Sequence, residues 1–246
     1  VNLYFYKMLG PSYASMYHLT PMSFQECVVI FAQNFLSAQY NTISHLPSYA
    51  KWLANQDMKT TVIWHKKFLQ HMQYGVRNLP KYSKTTWLLK TPFYLHTLDS
   101  LLDIYPDARI VWMHREPKTH MTSLCSMTTF FNGMISDDLD WSVVGRTNFD
   151  FWVDVFKRAM KARKKIPVKQ IFDVKYDDFA SDPVDMARRI YSHFGIAWTP
   201  QGEKAISDYV ESTRTREKHK HRTNIDYGFT DKDIENVFGE YRQKFL

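Results

Sequence analysis

Three short apolar segments alternate with helical patterns, and this order constrains the fold more than any other feature of the chain. The apolar segments cover residues 86–89, 109–113 and 170–174, and each is short enough for a strand. Residues 93–104 and 148–165 lie between them and carry apolar side chains at helical spacing. Because strands joined through helices run parallel, we predict an α/β protein: helix-rich, with a mostly parallel central sheet flanked by helices.

Further helices are predicted on both sides of this core. A capping box, S-F-Q-E at residues 23–26, precedes a helix that continues to Phe35. Pro117 suits the first turn of a helix, and Gly195 suits a helix end. The remaining helices are predicted at residues 46–56, 58–74, 182–195 and 231–245.

The composition indicates a basic globular protein. The 246 residues carry a formal net charge of +7, which favours an anionic partner, although a basic soluble protein without such a partner would look the same. Cys27 and Cys125 are the only cysteines, too few for a disulfide framework, so we expect a reducing, cytoplasmic location. No apolar run approaches the ~20 residues of a membrane span, and no signal peptide is visible.

Cations follow two of the predicted strands directly. Lys90 comes after the first, and His114 and Arg115 come after the second. Ligands of parallel sheets bind at the carboxyl ends of strands, where the arginine fork and the amides of the helix starting near Pro117 favour a phosphate. Ser123 adds a hydroxyl further along that helix. Either Arg115 or Ser123 alone could be a surface residue, but their joint spacing favours a phosphate site.

The segment R-E-P-K-T-H-M-T-S, from Arg115 to Ser123, resembles the 3′-phosphate-binding segment of sulfotransferases that use 3′-phosphoadenosine 5′-phosphosulfate (PAPS). W-L-L-K-T-P and P-D-A-R-I-V-W-M-H-R-E-P are similar to one branch of that family, as are V-K-Y-D-D-F-A-S-D-P and the C-terminal F-G-E-Y-R-Q-K-F. The likeness covers residues 87–245. It implies a P-loop-nucleotide-kinase-like sulfotransferase architecture.

The resemblance also implies roles for individual residues. Arg115 and Ser123 would bind the 3′-phosphate, and Tyr176 would lie against the adenine. Lys90 would lie near the transferring sulfuryl group, where its charge stabilises developing negative charge. A basic loop that closes over the 3′-phosphate would contain Lys218, Lys220 and Arg222, although a run of charges is also typical of a solvated face.

The chain departs from the family pattern in two places. The G-x-P-[RK]-[ST]-G-[ST] loop that binds the 5′-phosphosulfate has no counterpart, since Gly10 is followed by Pro-Ser-Tyr. We therefore expect one sulfotransferase-like domain over residues 1–246, lacking an N-terminal piece of the natural protein. The second departure is the catalytic base. Tyr94 occupies the position where the family often has histidine, and His96 lies two residues further on. Histidine suits proton removal near neutral pH, so His96 is a candidate, although it could equally pack on the helix face. Tyr94 is a candidate that would need a strongly lowered pKa, and His65 and His71 follow.

The leading hypothesis is a transferase that moves a sulfuryl group from PAPS to a hydroxyl or amine, leaving adenosine 3′,5′-bisphosphate (PAP), without a metal. Phe93, Tyr94 and Trp141 would suit an apolar or aromatic small-molecule acceptor, although they could equally be core residues. One alternative is a non-catalytic PAP- or PAPS-binding module that has lost the donor loop. Another is a basic nucleic-acid-binding domain, although no signature supports it. We expect no nucleic-acid or membrane partner, and a homodimer is left open.

Overall fold

The computed structural model describes residues 24–80, 85–214 and 225–246. Two strands lie within these ranges, β1 (Ile110–His114) and β2 (Ile171–Lys175). The described helices are α1 (Val28–Ala32), α2 (Gln39–Ile43), α3 (Pro47–Ala54), α4 (Lys59–Val76), α5 (Tyr94–Ile104), α6 (Pro117–Asn132), α7 (Trp141–Arg163), α8 (Tyr176–Ser181), α9 (Pro183–His193), α10 (Pro200–Arg214) and α11 (Asp231–Phe245). No helix in this part of the chain combines the length and apolar character needed to cross a membrane.

The two strands pair in parallel, with Ile110 opposite Ile171 and His114 opposite Lys175. The connection between them passes through α6 and α7, the helical crossover that a parallel pair requires. The predicted helix-rich α/β fold with a parallel sheet is therefore confirmed. Pro117 also occupies the first turn of its helix, as predicted.

Helix α7 is the scaffold on which the other elements pack. Its first turn is capped by Asp140, whose carboxylate accepts hydrogen bonds from the backbone N–H groups of Ser142 and Val143. Its 23 residues bury Phe151 and Val155 against the N-terminal helices, Ala159 and Ala162 beneath the sheet, and Phe149 and Val153 against α6 and α11. One helix thereby contributes to three apolar clusters, whose burial is the main favourable term in folding.

The segment that precedes α11 crosses α7 closely, and one glycine on each side makes room for the contact: Gly145 in α7 and Gly228 in the segment. A Cβ atom on Gly145 would lie 2.4 Å from the carbonyl oxygen of Tyr227, so only glycine admits this approach. Gly228 has a φ of 70° and packs against the carbonyl of Ser142, which again excludes a larger residue. These contacts fix the position from which α11 starts.

Three details differ from the sequence predictions. Residues 86–89 do not form a strand within the described fold, because β1 and β2 pair only with each other there, and Leu88 is 97% exposed. Helix α1 begins at Val28, later than the predicted capping box implied, and Ser23 of that box lies outside the described residues. Helices α2, α8 and α10 had no predicted counterpart.

Candidate active site

A cleft of about 530 Å³ opens at the carboxyl ends of β1 and β2, where parallel sheets bind their ligands. Both strand ends, the first turn of α6 and the start of α8 form its walls. The lining residues are His114, Arg115, Glu116, Thr119, Lys175, Tyr176, Asp177, Asp178 and Leu246.

Arg115 and Tyr176 meet in this cleft. The guanidinium carbon of Arg115 lies 4.7 Å from the centroid of the Tyr176 ring, and both side chains are partly exposed. The neighbouring carboxylate, Glu116, binds Arg242 rather than Arg115. Among the carboxylates that the structure describes, none forms an ion pair with Arg115. A cation with this freedom beside an aromatic ring can bind a phosphate while the ring stacks on a base.

Helix α6 contributes one hydroxyl-bearing residue to the walls of the cleft. Thr119 lines the cleft, and Ser123 lies one turn further along the same helix face, where it is half-buried. The sequence reasoning missed Thr119, although its spacing of four residues from Ser123 would have been a usable signal. The basic residues Lys218, Lys220 and Arg222 lie outside the described residues.

Lys90 lies in a different environment from Arg115. It follows an irregular segment rather than a strand, and its ammonium group forms an ion pair with Glu26. The Lys90 carbonyl also accepts a hydrogen bond of 3.1 Å from the N–H of Cys27. Lys90 does not line the Arg115 cleft, so the expectation that the two cations share one rim is not met by the described residues.

Glu26 is a second residue that the sequence reasoning missed. The capping-box pattern predicts that its carboxylate caps a helix, whereas the structure pairs it with Lys90, which is 64 residues away. The pair is partly open to solvent, with side-chain exposures of 71% for Lys90 and 36% for Glu26. Only the tertiary fold brings these two segments together.

Tyr94 lies within hydrogen-bond distance of a buried histidine. Its hydroxyl is 3.2 Å from Nε2 of His65, and Nδ1 of His65 is 2.8 Å from the hydroxyl of Tyr105. Burial raises the pKa of Tyr94 far above its usual range, and burial also lowers the pKa of His65 to about 4. Tyr94 therefore keeps its proton at neutral pH and is poorly suited to act as a base by itself.

The burial of His96 argues against its role as the base. The side chain has no exposed surface and packs between the rings of Phe93 and Phe151. Its Nε2 lies 3.3 Å from the carbonyl oxygen of Ala54, and burial lowers its pKa to about 4. From this position the imidazole is closed off from an acceptor in the cleft or at the surface.

Three other residues considered from the sequence lie in different surroundings from one another. Phe93 is only 1% exposed and packs in the core against Phe31, so it cannot line an acceptor pocket. His71 lies on the solvent-exposed side of α4, away from the core of the fold. Trp141 is half-buried at the start of α7.

The fold agrees with comparisons to known proteins. A model described as the sulfotransferase family matches residues 7–200, and the chain belongs to this family. Among solved structures, sulfotransferase STF1 of Mycobacterium tuberculosis superposes with a TM-score of 0.81 and 27% identity, covering 97% of this chain and 61% of that one. Sulfotransferase STF9 of Mycobacterium avium gives a TM-score of 0.78 and 26% identity, covering 90% and 56%.

Curated relatives indicate the same family. The omega-hydroxy-beta-dihydromenaquinone-9 sulfotransferase Stf3 of Mycobacterium bovis is 22% identical over 205 residues, which are 76% of this chain and 50% of that protein. The protein of the same name from Mycobacterium tuberculosis matches equally well. The chain thus spans about half the length of the curated relatives it matches.

Proposed function

We propose that this protein is a sulfotransferase that takes its sulfuryl group from PAPS and passes it to a hydroxyl group of an apolar small molecule. The observation that carries the proposal is the juxtaposition of Arg115 and Tyr176 at the carboxyl ends of two parallel strands. Membership in the sulfotransferase family supports the reaction class. The donor, the acceptor and the residue roles rest on the chemistry of the site.

The residues of the cleft suit the 3′-phosphoadenosine half of the donor. Arg115 would bind the 3′-phosphate through its guanidinium fork, with the hydroxyls of Thr119 and Ser123 as additional donors. The ring of Tyr176 would lie against the adenine. Lys175 adds a second cation to the same cleft. PAPS supplies the activated sulfuryl group, and the chain supplies binding and orientation.

Glu26 and Lys90 suit the transfer itself. An acceptor hydroxyl must lose its proton when its oxygen bonds to sulfur, and a carboxylate can take that proton. Glu26 is the carboxylate that the structure pairs with Lys90, whereas His96 is buried and Tyr94 stays protonated. Lys90 would stabilise the negative charge that develops during transfer. We therefore propose Glu26 as the general base in place of His96 or Tyr94.

An apolar acceptor is supported by the surface around Lys90. Leu88 is 97% exposed, Trp87 is 40% exposed, and Phe24 is fully exposed close in sequence to Glu26. Exposed apolar side chains grouped near a reactive pair are typical of a site that receives an apolar molecule. The name of the relative Stf3 describes a hydroxylated menaquinone derivative as its acceptor, which is a molecule of this chemical class.

The donor assignment is tested by calorimetric titration of the chain with two nucleotides. PAP carries the 3′-phosphate and adenosine 5′-monophosphate (AMP) lacks it, so the pair isolates the contact proposed for Arg115. We expect PAP to bind at least about tenfold more tightly, which corresponds to about 1.4 kcal/mol. Equal affinities, or binding of neither nucleotide, would contradict the proposed donor site.

A further inference from the structure

The last helix of the chain contacts the residues on both sides of Arg115 at the end of β1. The hydroxyl of Tyr241 of α11 bonds to His114, and Arg242 binds Glu116. Arg115 is the residue proposed to bind the 3′-phosphate. Its two neighbours are therefore tied to an element more than 120 residues away in sequence.

The protons of this network can be assigned consistently. The carboxylate of Asp173 can only accept a hydrogen bond, so Nε2 of His114 carries a proton and donates to Asp173 Oδ1, at 2.7 Å. Nδ1 of the neutral ring then accepts a hydrogen bond from the hydroxyl of Tyr241, at 2.8 Å. Arg163 binds the second oxygen of Asp173, at 2.5 Å. His114 and Asp173 each have a partner on both sides, which fixes the orientation of the His114 ring.

Packing holds the same groups in place. His114 is 1% exposed, and its ring stacks on Phe245 with centroids 4.5 Å apart. The ring of Tyr241 packs against Phe156 and Phe245 as well as His114. The ring contacts account for the packing of α11, and the hydroxyl of Tyr241 adds the link to His114, the residue before Arg115.

Arg242 acts on the charge beside Arg115. Its guanidinium binds both oxygens of Glu116, with Nη2 at 2.7 Å from Oε1 and Nε at 3.2 Å from Oε2. Glu116 also caps α6 by accepting the N–H of Lys118. Without Arg242, a carboxylate directly adjacent in sequence would be available to neutralise Arg115. The Arg242–Glu116 pair thus keeps the charge of Arg115 available for an anion.

We propose that Tyr241 and Arg242 are positioning residues for the donor. Tyr241 fixes the strand end that carries Arg115, and Arg242 keeps the charge of Arg115 available for the 3′-phosphate. This inference rests on the proposed function. It assigns a part in nucleotide affinity to α11, which is followed by a residue that lines the cleft, Leu246.

The hydroxyl of Tyr241 is tested by replacing it with phenylalanine, which keeps the ring. We expect Tyr241→Phe to weaken PAP binding about 5- to 20-fold, because His114 loses its hydroxyl partner and the strand end that carries Arg115 loses its orientation. AMP binding should change by less than twofold. Tyr49→Phe is a matched control, since it also removes a tyrosine hydroxyl that bonds across the fold, here accepting the backbone N–H of Ser37 at 3.1 Å in the N-terminal helices. That control should lower the melting temperature and leave PAP affinity unchanged.

A double-mutant cycle separates positioning from general stability. In an Arg115→Ala background, Tyr241→Phe should cause no further loss of PAP affinity, because the residue through which it acts is gone. The same fold-loss in both backgrounds would overturn the proposal. If PAP fails to bind the unmodified chain, the proposed donor site fails at the first step, and that result is distinct from a failed cycle.

Arg242 provides an independent test should Tyr241→Phe prove unstable. Arg242→Gln should weaken PAP binding by about 5-fold, by freeing Glu116 to compete for Arg115. Glu116→Gln should then improve PAP binding more in the Arg242→Gln background than in the unmodified chain. An equal effect of Glu116→Gln in both backgrounds would show that Arg242 does not protect Arg115 and would overturn this half of the proposal.

Discussion

Replacement of Arg115 by alanine should produce the largest loss of nucleotide affinity among single substitutions in the cleft. The guanidinium is half-buried, lies 4.7 Å from the Tyr176 ring, and binds no described carboxylate. Its charge is therefore available to the ligand, and a charge-assisted pair at a partly desolvated site contributes about 2–4 kcal/mol. The expected loss in PAP affinity is about 30- to 900-fold.

The same substitution should have little effect on folding. The substitution removes one contact of the Arg115 guanidinium with the Tyr176 ring, and such a contact contributes about 0.5–1 kcal/mol at an exposed site. Arg115→Lys is the informative companion, because it keeps the charge and loses the planar fork, so its PAP affinity should fall between those of the parent chain and Arg115→Ala.

Calorimetric titration with PAP and denaturant unfolding of the same preparations measure both quantities. Unchanged PAP affinity in Arg115→Ala, with intact folding, would remove this residue from the site. A large loss of folding stability instead would mean that Arg115 has a structural role that its contacts do not explain.

Two further predictions concern the helix beside Arg115 and the buried histidines. Ser123→Ala should weaken PAP about fivefold, the contribution of one neutral hydrogen bond of about 1 kcal/mol, and leave AMP unchanged; an equal loss for both nucleotides would indicate a packing role. His65 and His96 have pKa values of about 4, below the usual 6.5, so the unfolded chain binds more protons between these values. Folding stability should therefore be complete above pH 6.5 and fall as the pH drops toward 4, by up to about 1.4 kcal/mol per pH unit for each histidine. Urea unfolding at several pH values measures this slope, and a flat profile would contradict the buried, neutral state of both rings.

The parallel pair and its helices could be predicted because the signals are local. Each of these elements is predicted by a pattern within its own residues: apolar segments of strand length, Pro117 at a helix start, and the amphipathic pattern of α11. Arg115 could be placed for the same reason: a residue directly after a strand lies at the sheet edge that binds ligands. The meeting of Arg115 with Tyr176 follows once β1 and β2 are known to be parallel.

The remaining features depend on contacts distant in sequence. Residues 86–89 have the composition of a strand, but a strand needs a partner, and the described sheet provides none for them. His96 has a suitable chemistry for a base, but its burial is set by Phe93 and Phe151. Glu26 was not predicted as a site residue, because a carboxylate near a predicted helix start indicates a helix cap. Its contact with Lys90 depends on the tertiary fold.

Transfer of labelled sulfate from PAPS to a hydroxylated apolar acceptor, compared between the parent chain and Glu26→Gln, tests the central claim most directly. Glutamine keeps the size and polarity of the side chain and cannot take a proton, so the account predicts unchanged PAP affinity and turnover lower by about 10²- to 10⁴-fold. PAP binding without any acceptor-dependent transfer by the parent chain would contradict the account and favour a non-catalytic nucleotide-binding module.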